Sequence, residues 1–155
     1  MTISKGRWDG PIWDTHIHLD LEARGLSAAQ DFVNAGGTHI CLVHKPTFSA
    51  GLPDSIEGVD AAYRQTLDLA DQVSRKVGLD VRVVLGPHPV VWEKQIHTLG
   101  METSTQLHLD SVELALNYCS EGEAVGASVG SSDGSSVGSS EGASVGSSVG
   151  SSEGC

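Results

Sequence analysis

The first regular pattern in the chain is an alternation. From Ile12 to Leu19, the residues Ile12, Asp14, His16 and His18 fall on one side of an extended strand and Trp13, Thr15, Ile17 and Leu19 on the other, so polar groups gather on one face. A helical period follows: Ser27 stands as an N-cap before Ala29, Phe32 and Val33, and Gly36-Gly37 supplies the stop. Thr38 to Val43 is a short, apolar, largely β-branched run, as expected of a strand buried on both faces. A loop rich in Gly, Pro and Ser leads to a long helix from about Val59 to Val77, with its core stripe at Tyr63, Leu67, Ala70, Val73 and Val77 and Gly78 ending it. Val81 to Leu85 reads as a third buried strand, halted by Gly86-Pro87-His88-Pro89, where two prolines cannot donate to a ladder. A helix around Trp92, Ile96 and Leu99 and another with Leu109, Val112, Leu116 and Cys119 on one face complete the patterned part.

Strand, helix, strand, helix, strand, helices is the alternation that builds a parallel sheet through right-handed crossovers, so the fold class is α/β. A doubly wound sheet announces a nucleotide site by a Gly-rich first turn, yet the first turn here is His-Leu-Asp-Leu-Glu-Ala-Arg-Gly, with no phosphate cradle. A TIM (β/α)8 barrel places its chemistry at the C-terminal ends of the strands. Here those ends carry His18, His44 beside Lys45, and His88. The barrel is therefore the expected architecture. A full barrel takes about 250 residues and eight strands, so the three strands, with a fourth beginning near Glu123-Ala-Val125, predict the N-terminal part of a barrel.

Composition divides the chain at residue 121. Residues 1–120 have the mixed character of a globular domain, whereas in 121–155 Gly recurs at every fourth residue from Gly122 to Gly154 between small residues and acids. That repeat has no apolar face and has the wrong period for collagen, so a disordered low-complexity tail is expected. The net charge of −11 disfavours non-specific attraction to a polyanion. Any nucleic acid would then be held by a metal or by a few basic residues. Three cysteines without C-x-x-C spacing, no apolar run approaching 18 residues and no signal-peptide core predict a cytoplasmic protein that does not enter a membrane.

The chemistry rests first on His16 and His18. Residues two apart on a strand project to one face with Cα atoms roughly 6.5 to 7 Å apart, so their imidazoles can converge on one divalent ion. Zn, Mg and Mn all remain open. Asp14 suits an acid that orients a ligand, and is also a catalytic candidate. Lys45 is a candidate for a substrate phosphate, with a solvated loop charge as the alternative. His88, its backbone fixed by flanking prolines, is a candidate for the mouth of the site, both catalytic and substrate-binding.

Asp14-Thr-His16-Ile-His18 closing an early strand, Ala35-Gly-Gly-Thr-His-Ile-Cys-Leu-Val-His-Lys-Pro46, and Gly86-Pro87-His88-Pro89 closing the third strand resemble the TatD-related metal-dependent hydrolases, particularly an archaeal branch, over about Pro11 to Val125. The resemblance implies a TIM-barrel hydrolase with one or two divalent ions, in a family typified by deoxyribonucleases within the wider amidohydrolase-like group. It assigns metal to His16 and His18 and the active-site mouth to His88. The implied reaction is hydrolysis of a phosphodiester by a metal-activated water, with DNA, a small phosphoester or an amide as substrate.

The family also carries a bridging Glu on its fourth strand, further histidines on the fifth and sixth, and a late Asp. This sequence shows none of these. The expectation is a truncated hydrolase with weak metal binding and little or no turnover. Two alternatives stand beside it: a C–N hydrolase of the amidohydrolase type, and a non-catalytic half-barrel that self-associates through an exposed sheet edge.

Overall fold

A computed structural model describes residues 3–4, 7–20 and 24–127, and the predicted disorder of the repeat falls, beyond residue 127, outside the described residues. The chain is mixed α/β. A short antiparallel pair, β1 (Ile3–Ser4) and β2 (Arg7–Trp8), precedes the main sheet. The main elements are β3 (Trp13–Ile17), α1 (Gly25–Asn34), β4 (His39–Val43), α2 (Ile56–Val77), β5 (Asp80–Leu85), α3 (Pro89–Leu99), α4 (Met101–Ser120) and β6 (Gly126–Ala127). Strands pair in the order β3-β4-β5-β6, all parallel, so sequence order is also spatial order. The last strand lies in the segment that follows residue 120, beginning where Val125 N donates to Val83 O at 2.9 Å.

Thr38 joins the first two strands of this sheet before their ladder begins: Ile12 N donates to its hydroxyl oxygen at 2.9 Å, and that hydroxyl donates back to Ile12 O at 3.0 Å. β4 alternates half-buried His39, Cys41 and Val43 with fully buried Ile40 and Leu42, the mark of one face on the core and one partly open. It was expected to be buried on both faces. Ile40, Leu42, Val83 and Leu85 join Ala29, Val59, Tyr63 and Val73 from α1 and α2 in the core. On the open side the Trp13 ring stacks on His39, its partner in the ladder, with centroids 4.4 Å apart.

Three helices also differ from the sequence reading. α1 begins at Gly25 rather than after Ser27, whose hydroxyl instead donates to Arg24 O at 3.2 Å. Gly25 is what the start requires, since its N–H bonds Asp20 O at 2.9 Å and a Cβ there would stand 2.6 Å from that oxygen. α2 starts a turn earlier than expected because Ser55 caps it, accepting from Gly58 N at 3.3 Å, and it ends at Gly78 in the left-handed conformation, φ 80°. α4 turns a different face inward: Ser104, Leu107, Ser111, Ala115 and Tyr118 are buried, while Leu109 and Leu116 are exposed. Among the described residues no helix is long and apolar enough to cross a membrane.

Candidate metal centre

β3 does not keep strict alternation. Asp14 pairs with Ile40 and Ile17 with Leu42, so three steps on β3 match two on β4, a bulge. The Asp14 carboxylate sits at the bulge and accepts the backbone N–H of His16 at 3.0 Å. Asp14 therefore shapes the backbone under His16, and among the described residues it does not join the histidine pair in a metal-binding group.

Beyond the bulge the two imidazoles meet edge to face, with centroids 4.9 Å apart and planes at 89°, and their Nε2 atoms 3.2 Å apart. Two nitrogens each about 2.0–2.1 Å from one tetrahedral ion stand about 3.3 Å apart. The pair is thus spaced as two ligands of a single ion would be. His18 Nδ1 lies 2.9 Å from Val43 O. A carbonyl oxygen only accepts, so in the neutral ring Nδ1 holds the proton and Nε2 presents its lone pair toward His16. Two imidazole nitrogens at this spacing suit part of a divalent ion's donor set, and the backbone of β4 fixes the His18 tautomer that leaves Nε2 unprotonated.

Both histidines line a cavity of about 470 Å³ at the C-terminal ends of β3, β4 and β5, with Cys41, His44 and His88 also in its walls. The Cys41 thiol has its pKa raised by burial and by the Asp14 charge, which keeps it protonated. His44 is 7% exposed, and its Nδ1 lies 2.8 Å from Thr66 Oγ1. With the Thr66 hydroxyl donating to Ala62 O at 3.2 Å, His44 Nδ1–H is the donor to Thr66 and Nε2 is left as an acceptor. Burial, then the neighbouring His18 and His88, lowers its pKa to about 4 and keeps the ring neutral. The Tyr63 ring packs edge to face against it, centroids 4.8 Å apart.

His88 has the opposite tautomer. As N-cap of α3 its Nδ1 accepts from Val90 N at 3.2 Å, so the proton sits on Nε2 and the side chain offers the cavity a donor. Its role would be to bond a substrate oxygen rather than a metal. Lys45 lies outside the cavity wall and borders two neighbouring clefts of about 210 Å³ each. Among the described residues no third His, Cys, Asp or Glu joins His16 and His18 in a metal-binding group.

The structure thus brings together His16, His18 and His88 at one cavity, assigns Asp14 to the backbone beneath them, and leaves Lys45 beside it. The sequence placed His44 with Lys45 at the end of the second strand, as evenly a substrate contact or a loop residue, and did not show its burial. The signal was present: Ile40, Leu42 and His44 continue one alternation, so the histidine takes the next inward place after two core residues.

Over 114 residues the chain is 28% identical to the uncharacterized protein MJ1127 of Methanocaldococcus jannaschii, a match covering 72% of this chain and 36% of that protein. The chain thus spans about a third of the length of the curated relative it matches. No family model matches, and no solved structure matches.

Proposed function

We propose that the chain carries the first-strand portion of a divalent-metal hydrolase centre of the TatD-related type, set in the N-terminal part of a (β/α) barrel, with a phosphodiester of DNA as the substrate class. The observation that carries the reading is the facing pair of His16 and His18 nitrogens, 3.2 Å apart, with His18 locked by Val43 O. Two further features support it. The strand order β3-β4-β5-β6 has no reversal, as in a singly wound barrel, whereas a doubly wound sheet changes direction at a switch point. The histidines also sit at the C-terminal ends of parallel strands, where barrel chemistry is built.

A divalent ion held there would supply an acidified water and offset charge on the phosphoryl oxygen. His16 and His18 would hold it through Nε2, Asp14 would set the backbone that aims His16, and His88 Nε2–H would bond a substrate oxygen. A catalytic zinc ordinarily has three protein ligands, and two histidines give a weak site. The chain by itself should therefore bind Zn²⁺ weakly and turn over slowly or not at all. Calorimetric titration with Zn²⁺, Mn²⁺ and Mg²⁺, paired with single-stranded DNA cleavage, tests this. Binding of an ion that His16→Ala and His18→Ala each abolish is the expected result; unchanged affinity in both variants would remove the centre. Rapid metal-dependent cleavage would overturn the expectation of low activity. An amide substrate tested in parallel separates the C–N hydrolase alternative.

A specific observation favours a second reading, assembly. β3 is exposed along most of its length, with Trp13 at 47%, Ile12 just before it is 36% exposed, and Val125 is 59% exposed just before β6 at the other end of the sheet. Open edges of this composition suit pairing with another copy. Light scattering decides: a defined dimer supports assembly, and a monomer removes it.

A further inference from the structure

Beside the cavity lies a smaller space of about 30 Å³, bordered by His44, Tyr63, Gln95, His108 and Ser111. His108, on α4, has its Nδ1 shielded from solvent and without any hydrogen-bond partner. Burial lowers the pKa of His108, so the ring is neutral. A buried ring nitrogen left unpaired bears its full desolvation cost, and native structures ordinarily satisfy such atoms with protein or with water.

Three of the groups around the space have spent a proton elsewhere. Tyr63 OH donates to Ser111 O at 3.2 Å, Ser111 Oγ donates to Leu107 O at 2.6 Å, and His44 gives its Nδ1 proton to Thr66. What they retain is lone pairs, on two hydroxyl oxygens and on His44 Nε2. With its proton on Nδ1, His108 matches those lone pairs as a donor. A water molecule has the complementary count: it accepts from His108 Nδ1–H and donates to His44 Nε2 and to one hydroxyl oxygen. The space is large enough to admit a water, and three partners is the usual number for a buried water.

We infer that this space is a binding site for one ordered water bridging His108 of α4 to His44 at the end of β4. His108 is in this arrangement a positioning residue: through the water it holds the orientation of an imidazole that also lines the metal-centre cavity. The inference does not depend on the hydrolase reading, since it rests on the orphan nitrogen, the space and the spent protons.

A crystal structure of the full chain, at a resolution that shows ordered waters, tests it. The expected result is one density peak within about 2.7–3.2 Å of both ring nitrogens. Nitrogen-15 spectra of the histidine rings should show His44 protonated on Nδ1 and His108 on Nδ1. In His108→Leu the peak should vanish and the His44 Nε2 resonance should move, while His108→Gln, which keeps a polar group, should leave that resonance near its place. An empty space, a water touching only one of the two rings, or a folded His108→Leu with an unmoved His44 resonance would each overturn the inference. Where the leucine variant does not fold, the wild-type density and the glutamine variant decide alone.

Discussion

At the scale of single residues, the division of labour between Asp14 and His16 gives a sharp expectation. The carboxylate accepts a backbone N–H, a task that an amide oxygen also performs. Asp14→Asn should leave metal affinity within a factor of about 2, whereas Asp14→Ala frees the His16 backbone and should lower affinity by about tenfold, equivalent to about 1.4 kcal/mol. Equal losses in both variants, measured by metal titration, would make Asp14 a ligand instead. His44 supplies a pH prediction. Its folded pKa of about 4 lies below the ordinary value of 6.5, so the unfolded chain binds the extra proton first. Its contribution is present in full above pH 6.5 and is lost as pH falls through that value toward 4, roughly 3 kcal/mol in all. Urea midpoints should fall from pH 7.5 to pH 4.5, and this part of the fall should disappear in His44→Leu. The sequence showed the His16 and His18 pair because spacing along a strand is visible. It did not show Asp14's bond to the backbone, since a bulge depends on register against β4, which no local pattern records.

Among the elements, α4 is the instructive case. Apolar periodicity pointed to Leu109, Val112, Leu116 and Cys119, yet the buried face is Ser104, Leu107, Ser111, Ala115 and Tyr118. Small residues permit close approach: Ala115 is fully buried, and Tyr118 reaches across to donate to Asp60 on α2. A hydrophobicity count ranks leucine above serine and alanine, so it selects the wrong stripe wherever an interface is built on small side chains. Ala115→Leu should therefore destabilise the fold by about 1–3 kcal/mol through overpacking. Leu109→Lys should change stability by less than about 0.5 kcal/mol. Denaturant unfolding of the two variants distinguishes the faces, and the reverse ranking would restore the periodicity reading. The other elements were legible because their ends carry chemistry of their own: Gly78 stops α2 in a left-handed turn, and Pro87 and Pro89 frame the end of β5.

Across the four-stranded sheet, sequence order gave strand order, because every connection within it is a helical crossover between neighbouring parallel strands. The extent of solvent exposure along β3 was not legible, since an apolar strand reads the same whether or not something covers it. With a net charge of −11, two copies repel one another at low ionic strength, so association through the sheet edges should strengthen as salt screens that repulsion. Light scattering at about 0.05 M and about 0.5 M salt should show the larger species at the higher concentration. Trp13→Glu should remove it, and a mass independent of both would end the assembly reading. The stack of Trp13 on His39 gives the same face an optical signature. An indole shifts its emission to the blue when water leaves it. The chain thus carries a fluorophore on the surface in question, and docking of a second copy would report the edge without any label.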